Sequence, residues 1–382
     1  MSKPVLFLVH GIGRHKKGWS EAPDGPVSAL ETAMRKYSCF ASGEKLSKYL
    51  EVVEIRYDDI FDSVLAQWSN LAASLPVAPG INWLDSVKKV LDEAGNDSNT
   101  FARYGGDVLL YKGFDLIARA VRLRVNSVIS ATMHRAYANA KAAGSAAPPF
   151  SVLAHSMGTA VAQDALFQLA TNDWTPDHTT LRAQAPAIAA LATNPDLSPE
   201  QGADFDAARQ AGNLRVGLDS LYLVADTSPL LHRAAGLYSN YQPRPGNFDC
   251  GAVCTIAHEL DPVCNIGSRG FVVPPRPSAM TLTVKHVHDT NVHGFAHYLS
   301  HPRVHAQLFV RLIPAFLPEF KDQAQQIAQA AEWNGFGGAL ADRADGVRLA
   351  LHDKLIAIRT DTASVASLRD AIKALFGIAG DV

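Results

Sequence analysis

The chain has 382 residues, 47% of them apolar and 19% charged, which gives material for a sizeable core and excludes global disorder. Its 35 basic and 37 acidic residues leave a net charge of −2, without the clustered basic footprint that nucleic-acid binding requires. No apolar run approaches the roughly 20 residues of a membrane span, and the short apolar run near the N-terminus is no signal-peptide core, so a soluble, cytoplasmic protein is expected.

Val5–Val9 is a continuous apolar run, the pattern of a strand buried on both faces of a parallel sheet. It ends in the glycine-bearing turn H-G-I-G-R-H, His10 to His15. A helical pattern follows over 27–37, and E-V-V-E-I-R-Y at 51–57 reads as a second strand. Residues 107–141 have helical spacing, with Leu110, Phe114, Ile117, Val121, Val125 and Val128 on one stripe. Lys112, Arg119, Arg122, Arg135 and Lys141 lie on the other face. The connector A-A-G-S-A-A-P-P closes that helix, and a strand at 150–154 runs directly into Ser156 and a helical pattern over 159–170.

Further strands are expected at 218–224, 254–258 and 281–287, then one helix over 295–316. Strands alternating with helices over residues 1–320 predict an α/β fold, a mostly parallel, doubly wound sheet with helices on both faces. Residues 321–382 read as a C-terminal appendage. About ninety residues separate the second strand from the strand before Ser156, more than a crossover needs, so approximately 58–106 is a helical insertion. It carries Trp68 and Trp83 and is too apolar for a solvated linker.

The stretch A-H-S-M-G places Ser156 between a strand and a helix, with Ala154 and Gly158 as small second neighbours. Such a strained turn lifts a serine out of the sheet, brings strand and helix close, and aims the helix N-terminus at whatever the serine attacks. A helix N-cap serine is the bland alternative for the same residue. A serine hydroxyl is a poor nucleophile and needs a base, so the rest of the chain decides between the two.

H-G-I-G after the first strand, A-H-S-M-G, D-P-V at 261–263 and a late histidine occur in this order, and the chain here resembles the α/β-hydrolases of lipase and esterase type. The S-P-L at 228–230 is similar to a stretch in lipase-like members. The resemblance covers roughly residues 3–316 and implies a Ser-Asp-His order, although Ala154 stands where the family pattern has glycine and the fold's first two strands are not expected before the strand that carries the H-G turn. It implies an acid after the second strand beyond the nucleophile strand, where Asp261 lies, with Asp226 and Glu259 as the other candidates. It places the base on the loop after the last strand, where His293 precedes Gly294, with His288 and His297 as alternatives. The oxyanion donors by resemblance are the backbone N–H groups of Ile12 and Met157. The implied activity is serine-dependent hydrolysis of a small-molecule or lipid ester, with no cofactor. The apolar insertion itself is expected to line an acyl pocket or act as a lid, with simple packing against the flank of the core as the alternative. Thioesterase, amidase and acyltransferase chemistry use the same triad.

Three other readings compete. His293, His297, His301 and His305 recur at every fourth position, the spacing of a metal-binding helix face. A non-catalytic hydrolase-fold module that binds a partner is a second. Peripheral contact of the basic helix at 107–141 with an anionic membrane is a third. Cys39, Cys250, Cys254 and Cys264 lack the paired spacing of a zinc site and read as buried or free thiols.

Overall fold

The computed structural model describes residues 3–63, 115–171, 199–211, 216–228, 248–261, 278–286, 292–313 and 319–330, with several single positions besides. Six strands form one sheet: β1 (Val5–Val9), β2 (Glu51–Ile55), β3 (Phe150–His155), β4 (Val216–Val224), β5 (Phe248–His258) and β6 (Ser278–Val284). Their spatial order is β2-β1-β3-β4-β5-β6, and every neighbouring pair is parallel. Every residue of β1 and β3 is buried, as expected of central strands covered on both faces.

Helices cover both faces. On one side α1 (Pro26–Met34), α5 (Phe295–Ser300), α6 (Pro302–Leu312) and α7 (Glu319–Ala328) pack over Leu6, Leu8, Tyr222, Ile256 and Leu282. On the other lie α2 (Asp115–Ala142) and α3 (Met157–Thr171), with α4 (Pro199–Ala211) against α2. Two basic residues of α2 meet carboxylates within the protein. Arg124 is buried and grips Asp59 with two hydrogen bonds of 2.9 Å, while Arg135 reaches Asp204 of α4 at 2.8 Å. None of the described helices is long and apolar enough to cross a membrane.

The chain departs from the sequence expectation in the bounds of several elements. The single helix expected over 295–316 is two helices, because Pro302 forces His301 into an extended conformation (φ −69°, ψ 128°) and then opens α6. β5 begins six residues before the expected start, at Phe248. Gly251 masks its strand pattern, and is there because a Cβ would stand 2.8 Å from the Asp219 carbonyl oxygen of β4. β6 is shifted toward the N-terminus, ending at Val284. α7 spans residue 320, and its Ala324 belongs to the core. Most of the expected insertion, with Trp68 and Trp83, lies outside the described residues, as do Cys264 and the chain after Trp333. Cys39, Cys250 and Cys254 are not in disulfides.

Strand order reverses between β1 and β3, since the chain leaves β1 for β2 on one side and returns to β3 on the other. An open α/β sheet binds ligands in the crevice outside the carboxyl ends of strands at such a reversal. The H-G-I-G turn and Ser156 both emerge there.

Candidate active site

Ser156 follows β3 and precedes α3 with φ at 53°, a left-handed conformation that costs a non-glycine residue roughly 1–3 kcal/mol. Surrounding hydrogen bonds hold it. Its N–H donates to the Val224 carbonyl (2.9 Å). Its own carbonyl accepts from the Thr159 N–H (2.8 Å), the Thr159 hydroxyl (2.7 Å) and the Thr227 hydroxyl (2.9 Å). Gly158 is required by the approach of the first loop: a Cβ there would lie 2.1 Å from the His10 carbonyl oxygen. Ala154, by contrast, is accommodated between Val9 and Leu223 in the sheet. The loop after β1 is seated against the elbow, because a Cβ on Gly11 would stand 2.8 Å from that of Ser156.

The structure brings Ser156, His293 and Asp261 together. His293 Nε2 lies 2.8 Å from Ser156 Oγ, and its Nδ1 lies 2.7 Å from Asp261 Oδ2. Asp261 stands just beyond β5, fully buried, and His293 occupies the turn before α5. Burial alone would disfavour the charged imidazole, but the Asp261 carboxylate and its hydrogen bond outweigh this and raise the His293 pKa above 6.5. Nδ1 therefore carries the proton donated to Asp261, and Nε2 is left to accept from the serine hydroxyl. Met157 is the first residue of α3, so its N–H is one of those a helix start leaves without an intrahelical partner. Ile12 follows the tightly packed Gly11.

The other candidates have different partners. Asp226 accepts from the Gln163 amide (3.2 Å) and the Ser228 N–H (3.0 Å). Glu259 pairs with Lys285 at 2.7 Å. His297 donates to the His286 carbonyl at 3.1 Å, and His288 lies outside the described residues. The expected histidine face does not form, since α5 starts only at Phe295 and the helix breaks at Pro302. His301 caps α6 by accepting from the Arg303 N–H, and His305 bridges the Leu299 carbonyl and the Tyr37 hydroxyl.

Two participants escaped the sequence reading. His155, the second residue of A-H-S-M-G, donates from Nε2 to the His293 backbone carbonyl at 2.7 Å, and its ring stacks on Phe295 with centroids 4.7 Å apart. Burial, reinforced by the nearby His293, lowers its pKa to about 3, so it is neutral. The Tyr298 hydroxyl donates to Asp261 Oδ2 at 2.7 Å. Only its place in the first turn of the helix that follows His293 hints at the latter.

Two groups of described side chains bring metal-type ligand atoms within reach of one another: His258, His286 and His297, and His10, His15 and Asp58. In the first, His258 is already committed at both ring nitrogens, donating to the His286 carbonyl (2.6 Å) and accepting from the Leu260 N–H (3.1 Å). Comparison with protein-family models and with curated proteins finds no match to this chain.

Proposed function

We propose that the protein is a serine hydrolase of α/β-hydrolase type that cleaves a carboxylic ester through an acyl-enzyme. One observation carries the reading: a single imidazole spans a serine hydroxyl at 2.8 Å and a buried carboxylate at 2.7 Å, with the serine on a strained strand-to-helix turn. Ser156 Oγ attacks the carbonyl carbon as its proton passes to His293 Nε2. The negative charge that develops on the carbonyl oxygen is met by the N–H groups of Met157 and Ile12. Collapse of the tetrahedral intermediate breaks the ester C–O bond, and the leaving alcohol takes the proton from His293. A water then repeats the sequence on the acyl-enzyme, releases the acid and restores Ser156. Asp261 holds the imidazole in the working tautomer and stabilises its charged form.

The test is a fluorophosphonate probe, which forms a Ser Oγ–P bond with loss of fluoride. Wild type is expected to label stoichiometrically and Ser156→Ala not at all. Equal labelling of the folded alanine variant rejects the proposal. Esters and thioesters of graded acyl length, run side by side, then read the substrate class.

A further inference from the structure

The geometry points to a zinc-type divalent metal site built from His10, His15 and Asp58, which ties the two ends of the H-G-I-G-R-H loop to the start of the segment after β2. His10 Nε2 and His15 Nδ1 each lie 3.3 Å from the same atom, Asp58 Oδ2. An edge of about 3.3 Å is what a tetrahedral shell with ligand bonds of roughly 2.0–2.1 Å produces. Two imidazoles and one carboxylate match the donors of zinc and its neighbours, while calcium and magnesium favour oxygen alone.

The surroundings are organised for a cation. His10 is fully buried and donates from Nδ1 to the Gly11 carbonyl at 2.6 Å, which leaves its Nε2 lone pair facing Asp58. Apart from a long contact of 3.4 Å from the Tyr57 N–H, that nitrogen meets only the carboxylate. A lone pair turned toward a carboxylate oxygen is unfavourable unless something positive lies between them. Asp58 is 7% exposed, and although Oδ2 accepts from the His15 N–H at 2.9 Å, the buried Oδ1 has no hydrogen-bond partner. A buried carboxylate with so few partners is costly, and a cation held by it offsets part of that cost. His15 Nδ1 likewise makes no hydrogen bond.

The rings of His10 and His15 are stacked, with centroids 4.0 Å apart and planes at 19°, so loading requires the His15 ring to turn until both lone pairs meet at one point. His15 is the partly exposed member of the set and is free of the Gly11 bond that fixes His10. The ion would hold the loop that carries Gly11 and Ile12, making these three residues positioning residues. The site itself does not depend on the hydrolase reading; its effect on the oxyanion loop rests on it.

The experiment uses the full chain, stripped with a chelator and titrated with Zn²⁺ by calorimetry, metal analysis and thermal melting. Wild type is expected to bind one ion per chain with a raised Tm, and an excess of Mg²⁺ should not displace it. Asp58→Asn and His15→Ala should each weaken binding by more than about 100-fold, since even an outer partner of a metal ligand is worth about 10–100-fold. No uptake by wild type, or undiminished uptake by both folded variants, overturns the site. Repeating the titration on Ser156→Ala separates the metal site from the proposed reaction. Zinc should also speed fluorophosphonate labelling of the stripped wild type; a rate indifferent to bound zinc would overturn the link to the loop.

Discussion

His293 and its neighbours His286, His297, His301 and His305 share one stretch of chain, yet they are built on opposite principles. In the turn before α5, His293 faces the Asp261 carboxylate on one side and a hydroxyl on the other, and its pKa is raised. Behind it, the rings of His286 and His297 stack at 4.0 Å and each donates to the other's backbone carbonyl. Trp333 packs against His286 and His301. Burial drives the pKa of His286 down to about 2, of His301 to about 4 and of His305 to about 3, so these rings act as neutral polar packing. The partner decides the difference: a carboxylate favours the charged imidazole and suits a histidine to the proposed proton transfer, whereas a carbonyl in a dry environment keeps it neutral.

The strongest test of that contrast is a pair of alanine substitutions. His293→Ala should lower kcat for an activated ester by about 10⁴- to 10⁶-fold, as expected when one member of a catalytic unit is removed, with little change in Tm. His297→Ala should do the reverse, costing roughly 2–4 kcal/mol of stability through a cavity and a lost buried hydrogen bond while the folded fraction keeps near-normal turnover. Steady-state kinetics and denaturant melts on both variants read this directly. A large kcat loss in a stable His297→Ala protein would place the base elsewhere.

Much of this region was legible from residue order. The apolar runs at β1 and β3, the glycine demanded at 158 and the succession Ser156, Asp261, His293 are local features, each readable within a few residues. Six histidines between 286 and 305 could not be ranked by type, and only the glycine after His293 singled it out as a loop residue. His155 and Tyr298 were missed for a different reason. Their partners, the His293 carbonyl and Asp261, are supplied by strands and turns far along the chain, and no spacing rule reports such a contact. The pairing of His10 and His15 with Asp58 depends likewise on β1 and β2 being parallel neighbours, which fixes what stands across from the end of β1.

His155 offers an intermediate test, because it links the two kinds of histidine: neutral and buried itself, it holds the carbonyl of the one proposed as the base. His155→Ala should lower kcat by about 10- to 100-fold, the scale of losing a hydrogen bond that orients a catalytic group. KM should change little, since the side chain is aimed at the His293 backbone. His155→Gln keeps an N–H donor and should recover part of the loss. A uniform rise in KM with kcat intact, or no recovery by glutamine, would argue that the ring serves only to pack against Phe295.

The finest test concerns the carboxylate. Tyr298 and His293 donate to the same oxygen, Asp261 Oδ2, at 2.7 Å each, so the hydroxyl draws off charge that would otherwise stabilise the imidazolium. The pKa of His293 already lies above 6.5, and the base must be neutral to work, so activity should fall as pH drops below that raised value. In Tyr298→Phe the carboxylate is less shared, its pull on His293 strengthens, and the acid limb of kcat/KM should move to higher pH by a fraction of a unit. Asp261→Asn should move it the other way, because the charge that raises the pKa is gone. The phenylalanine variant should also lose roughly 1.5–3 kcal/mol of stability with its bond to a charged group, but only a few-fold in plateau kcat. A limb that shifts downward in Tyr298→Phe would mean that the hydroxyl acts chiefly by fixing the direction of the carboxylate rather than by sharing its charge.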